Sequence, residues 1–396
     1  MRSSALLCVA FALLALGPAC GEETPEETVT DTTPEPEPEP EPTAPKLGLN
    51  DVSVLVPVPA SPDTPGYLTP LSAGAKGELL PKAVYDEIPE FPVTPSQGLN
   101  YDRMRVIGLR FDGCNLKPTG CEAQLRLVMQ PVTTGGKTRD SALHLFYSLT
   151  DEELAELVPE LRRLRGLAPE LADAPLDVHA GLVAQGMQGA YGTALSELVL
   201  SLAGEQNLTR MTFFLRAPPS NEVWFFGGFE RESGELTMMD IEGVGMGNQQ
   251  VLRTEIDAGY DFTVNPTTSV PKTERTLLTS AAAAAATEEE RSAAFAAFLQ
   301  VQNPRKFSAD ELSCAGCHLG TFVLEQTSAA HGLSASDFPE DAFSSSWDLS
   351  VRGGAPQKAS SLRAFGYFDA EPMIAQRVVN ESAEVVDDLE KRFPAK

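Results

Sequence analysis

The chain has 396 residues, which is long for a single ordinary core and suggests two domains with appendages. Its composition is globular, with 42% hydrophobic and 22% charged residues. The formal net charge of -26 excludes nucleic acid and anionic lipid headgroups as natural partners, since both are polyanions, and leaves cationic partners and plain solubility.

At the N-terminus, Arg2 supplies a minimal positive charge and Ala5 to Leu16 an apolar stretch too short to span a bilayer. Gly17-Pro18-Ala19-Cys20 then offers a small-residue cleavage site, so residues 1-19 read as an export signal. A cysteine at that point resembles a bacterial lipoprotein signal. The resemblance implies lipidation of Cys20 and anchoring in the periplasm or cell envelope, on the outer membrane; the alternative is plain cleavage and a free periplasmic protein. No other stretch is long and apolar enough to span a membrane, so membrane contact is expected only through lipid at Cys20. Residues 20-46 are rich in Glu, Thr and Pro, with strict Pro-Glu alternation from Pro34 to Pro42, which favours a stiff, solvated tether.

Residues 47-280 read as an α+β domain. Val52 to Val58 is strand-like, and Met104 to Phe111 with Ala123 to Val132 suggests a hairpin. Cys114 and Cys121 lie in its turn and are expected to pair as a disulfide in an oxidising compartment. The strand Ala142 to Ser148 feeds a helix opened by the capping box Thr150/Glu153, with Leu154, Leu157, Val158, Leu161 and Leu164 on one stripe. A helix over Tyr191 to Ala203 and strands at Met211 to Arg216, Val223 to Phe229 and Leu236 to Ile241 complete this part. Gly135-Gly136-Lys137-Thr138 lacks the first glycine of a phosphate loop, and Gly243 to Gly247 reads as a turn. His144 reads as a satisfied strand histidine and His179 as a loop histidine.

Cys314-Ala315-Gly316-Cys317-His318 is the decisive motif. Two thiols at this spacing can add to the two vinyl groups of haem, and the following histidine is placed to bind its iron. Zinc needs a second ligand pair, and only His331 is near; a thiol-disulfide centre needs a βαβ context, whereas the flanks read as helical. Before the motif, Thr287 to Val301 reads as a helix opened by Thr287 and Glu290, and after it Pro372 to Phe393 as another. Residues 281-396 thus resemble class I cytochromes c, which implies a mainly α-helical haem domain following the α+β domain.

That resemblance implies one covalently bound haem c on Cys314 and Cys317, His318 as proximal ligand and Met373 as the second axial ligand, with His331 or an open position as alternatives. Trp347, Arg352, Arg363 and Tyr367 are the candidate donors to the haem propionates. The function expected is electron transfer to a redox protein with a basic docking face. A peroxidase-like haem enzyme or its relay, and a ligand-binding or redox- and gas-sensing surface lipoprotein, are the alternatives.

Overall fold

The computed structural model describes residues 45-88, 99-117, 120-169, 174-216, 222-254, 256, 259-266, 275-351 and 362-395. The signal segment, Cys20 and nearly all of the tether lie outside them. Thr43–Lys396 forms one compact unit.

Its organising element is a ten-stranded antiparallel sheet. In chain order the described strands are β1 (Ser53–Leu55), β2 (Ala73–Gly74), β3 (Gly77–Glu78), β4 (Met104–Lys117), β5 (Gly120–Thr133), β6 (Lys137–Thr138), β7 (Ser141–Leu149), β8 (Leu208–Arg216), β9 (Val223–Glu232), β10 (Glu235–Met238), β11 (Asn248–Arg253), β12 (Phe262–Asn265), β13 (Phe365–Phe368) and β14 (Glu371–Ile374). The described helices are α1 (Leu49–Val52), α2 (Lys82–Asp86), α3 (Asp151–Gly166), α4 (Ala180–Gln185), α5 (Ala190–Leu202), α6 (Ser280–Ala285), α7 (Glu288–Val301), α8 (Cys314–His331) and α9 (Gln376–Arg392). The main sheet runs β1-β4-β5-β7-β8-β9-β11-β12, with β10 on β9 and β6 on β5.

Alternation along the central strands gives the sheet two different faces. Leu143, Leu145 and Tyr147 of β7, with Met211 and Phe213 of β8, join the core that holds Leu154, Leu157 and Leu161 of α3 and Leu195 and Val199 of α5. Phe214 of β8, Trp224 and Phe226 of β9 and Val251 of β11 join a second core with Phe295 and Phe298 of α7 and Leu319, Phe322 and Val323 of α8. Both expected capping boxes form: Thr150 Oγ1 accepts from Glu153 N at 3.2 Å and Thr287 Oγ1 from Glu290 N at 3.2 Å. The glycine-rich segments are turns, with Gly135, Gly136, Gly243 and Gly245 all at positive φ.

The expectation of an α+β domain followed by a mainly α-helical, cytochrome c-like domain is overturned. The last third of the chain contributes the β13–β14 hairpin, and its side chains belong to the sheet's own cores. Gln130 of β5 donates to Tyr367 O at 2.9 Å and accepts from Tyr367 N at 2.7 Å, while Val379, Ala383, Val386 and Leu389 of α9 are buried in the same core as α1 and α3. Apolar stripes on the flanking helices are filled by a large sheet, which periodicity alone does not distinguish from helix-helix packing. The final helix also starts later than expected, at Gln376, because Asp369 takes a left-handed turn (φ 54°) that returns the preceding residues as a hairpin strand.

Cys114 and Cys121 are joined by a disulfide across the β4–β5 turn, with a sequence separation of 7. In the chain-entropy picture, a loop this short stabilises by about 2–3 kcal/mol. Replacing both cysteines by serine should lower the unfolding free energy by that amount in urea titrations, and adding a reductant should affect the natural chain but not the variant.

Candidate functional site

The haem-type motif forms the first turn and a half of α8. Ser313 caps the helix, its Oγ accepting from Gly316 N at 3.1 Å, and Gln249 Oε1 of β11 accepts from Ala315 N at 2.8 Å. These bonds tie the helix start to the sheet. Spacings of three and four residues place Cys314, Cys317 and His318 on one side of the helix. That side meets β9 and β8: the His318 ring is 4.7 Å from the Phe226 ring and 5.3 Å from Phe214, nearly parallel to the latter.

His318 Nδ1 lies 2.6 Å from Leu362 O. A carbonyl only accepts, so Nδ1 carries the proton and Nε2 keeps its lone pair. Burial brings the imidazole down to about 4; the Leu362 carbonyl opposes this and the Arg363 charge adds to it. The ring is therefore neutral at pH 7, the form that binds a metal.

The thiols have the opposite character from exchange-active cysteines. Burial pushes Cys314 up to about 12, with Cys317 adding to the effect. Burial likewise brings Cys317 up to about 11, between the charges of Arg377, Glu381 and Arg110. A thiolate-based redox centre requires a depressed value, which this site does not provide.

Cys314, Cys317, His318 and His144 are each half-buried. Arg363 lies near His318, 1% exposed, its guanidinium 4.2 Å from the Phe214 ring centre and 3.4 Å from Asp140 Oδ1. Trp224 Nε1 donates to the other Asp140 oxygen at 3.0 Å. Burial lowers Arg363 to about 10, which leaves it cationic at neutral pH.

The structure brings together Cys314, Cys317 and His318, but not the proposed second ligands. His331 is the last residue of α8, thirteen residues beyond His318 and so about 20 Å along the axis. Met373, expected in the first turn of the final helix, lies instead in β14, paired with Gly366 and 3% exposed. Of the four candidate propionate donors, Arg363 sits at the motif. Trp347 Nε1 donates to Asp387 on the surface, Tyr367 hydroxyl donates to Val56 O, and Arg352 lies outside the described residues. His179 caps α4 by accepting from Leu182 N and stacks on Tyr191. Among the described residues no three His, Cys, Asp or Glu side chains converge as a metal-ion site, and no helix is long and apolar enough to cross a membrane.

A separate cavity of about 690 Å3 opens farther along α8, walled by Phe295, Leu299, Leu324 and Phe343. Glu325 lines it, with one carboxylate oxygen unpartnered, and burial raises its carboxyl from the ordinary 4.5 to about 7. Because the folded value exceeds the unfolded one, stability is lost as pH rises from 4.5 to 7 and levels off above. Glu325→Gln should remove that loss, so its urea midpoint should exceed the natural one at pH 8 and match it at pH 4.

No protein-family model, curated protein or solved structure matches the chain.

Proposed function

We propose that the protein carries one haem c, bound through thioethers to Cys314 and Cys317 with His318 on the iron, and that it transfers electrons outside the cytoplasm. The observation that carries this reading is the state of His318. It directly follows the second thiol, is neutral, and has its Nδ1 engaged by Leu362 O, so that Nε2 is the atom left for iron.

The surrounding residues fit the group. The two thiols sit on the same side of α8 as the imidazole. Phe214 and Phe226 supply apolar walls, and buried, cationic Arg363 is the donor positioned to meet a propionate while still paired with Asp140. When bound, haem supplies a one-electron couple of the iron. The chain's own part is to hold the imidazole in one tautomer, exclude bulk water and keep charge near the ring fixed. The fold that does this is a broad antiparallel sheet covered by helices.

Export and lipidation at Cys20 belong to the same proposal, because attachment of haem c takes place beyond the cytoplasmic membrane. The partner is a redox protein with a basic docking face, complementary to the net charge of -26. The test is the absorption spectrum and intact mass of the full chain coexpressed with haem-attachment machinery. A c-type spectrum with one haem per chain supports the reading; a colourless protein of unmodified mass rejects it.

A further inference from the structure

We infer that His144 of β7, on the sheet face that α8 covers, is the second axial ligand of the iron. The inference rests on the haem reading above and goes further by fixing the other side of the metal.

The position follows from the strand register. His144 pairs with Val128 of β5 and with Thr212 of β8, in the middle of the sheet. Neighbouring residues Leu143 and Leu145 enter the core under α3 and α5, so His144 emerges on the opposite face. Phe214, two residues beyond Thr212 on β8, shares that face, and the His318 ring stacks on it. His144 therefore lies on the sheet face against which His318 of α8 packs.

Orientation and accessibility agree with this role. His144 Nδ1 is 3.1 Å from Thr212 Oγ1, which fixes the ring and leaves Nε2 as its remaining nitrogen. A hydroxyl can accept from Nδ1–H, and in that tautomer Nε2 of His144 carries the lone pair a metal needs. His144 is only partly buried. The two rings are near enough for the charge of one to oppose the charge of the other.

The rivals are placed less well. With metal–nitrogen bonds of about 2 Å, the two donor atoms on one iron lie roughly 4 Å apart. His331 is separated from His318 by most of the length of α8. Met373 is committed to a strand that pairs with β13. Met239 is a methionine beside this row, its sulfur lying over Gly228, which pairs with Thr212.

The test compares the natural holoprotein with His144→Ala, His144→Met, Met239→Ala and Met373→Ala by absorption and electron paramagnetic resonance. The natural protein should be low-spin with no sulfur-to-iron band at the red end of the oxidised spectrum. His144→Ala should become high-spin, and added imidazole should restore the low-spin form, which a merely structural loss would not allow. His144→Met should stay low-spin, acquire the sulfur band and raise the reduction potential. If His144→Ala remains low-spin, or if either other methionine variant alone turns high-spin, the assignment to His144 is wrong while the haem reading stands. A natural chain without covalent haem removes the haem reading itself.

Discussion

On the proposed haem reading, a chain in which Cys314 and Cys317 are both alanine should yield all of its haem to acidified organic solvent, whereas the natural chain should retain one haem per polypeptide through the same extraction. Each single variant should keep one thioether and show a correspondingly shifted absorption band. The two thiols are the only cysteines among the described residues outside the disulfide, and both lie on the same side of α8 as His318. Their raised values make them poor nucleophiles unaided, since the thiolate is the reactive form. Attachment is therefore expected to depend on dedicated machinery acting before α8 closes on the sheet, and haem added to the folded chain should remain non-covalent. Mass spectrometry reads both results directly. Covalent haem in the double variant would show that the motif is not the attachment point.

Glu381→Ala is expected to cost about 3–5 kcal/mol of stability, the usual consequence of stripping one partner from a buried ionic cluster. Glu381 is held between two arginines: Arg110 Nη1 of β4 reaches one carboxylate oxygen, and Arg377 Nε reaches the other at 2.6 Å. Arg110 also donates to Ser53 Oγ at 3.1 Å and Val378 O at 3.1 Å. Arg377 donates to Val301 O at 2.9 Å and Phe307 O at 2.7 Å. Removing the carboxylate leaves both guanidiniums buried without their counter-charge, and α9 loses its clamp on β4 and on the segment leading to the motif.

The same cluster sets an acid limit. Burial alone would raise Glu381, but Arg377, Arg110 and Arg126 hold it well below its ordinary value of 4.5. A folded value below the unfolded one contributes stability that is complete above about pH 4.5 and is lost as pH falls toward the folded value. Urea midpoints of the natural protein should therefore fall below pH 4.5. Glu381→Gln, which cannot titrate, should be weaker at pH 7 and lack this component of the acid decline. A decline of equal steepness in both proteins would count against Glu381 as its source.

Local chemistry was legible in the sequence wherever a few neighbouring residues suffice. Thr150 with Glu153 and Thr287 with Glu290 specify helix starts because both partners lie within one turn. The alternation in β4, β5, β7, β8 and β9 is a property of each strand, and Cys114 and Cys121 are neighbours across one turn. Cys314, Cys317 and His318 carry by spacing alone the haem attachment proposed above. β11, β12 and the β13–β14 hairpin were missed, since strands of four to six residues carry too few periods to register.

What the haem-type motif faces could only be decided by tertiary structure. The apolar stripe of α9 and the turns around α8 read equally well as a small helical domain, yet they pack on a sheet whose strands lie far earlier in the chain. Leu362 O, Phe214, Phe226 and Arg363 reach His318 from separate segments, and no local pattern ties them together. His144 illustrates the difference most clearly. In sequence it is a histidine in a largely apolar strand, and it reads as satisfied rather than as a ligand. Strand register decides which face it occupies, and the packing of α8 decides what that face meets; both are long-range properties of the folded chain.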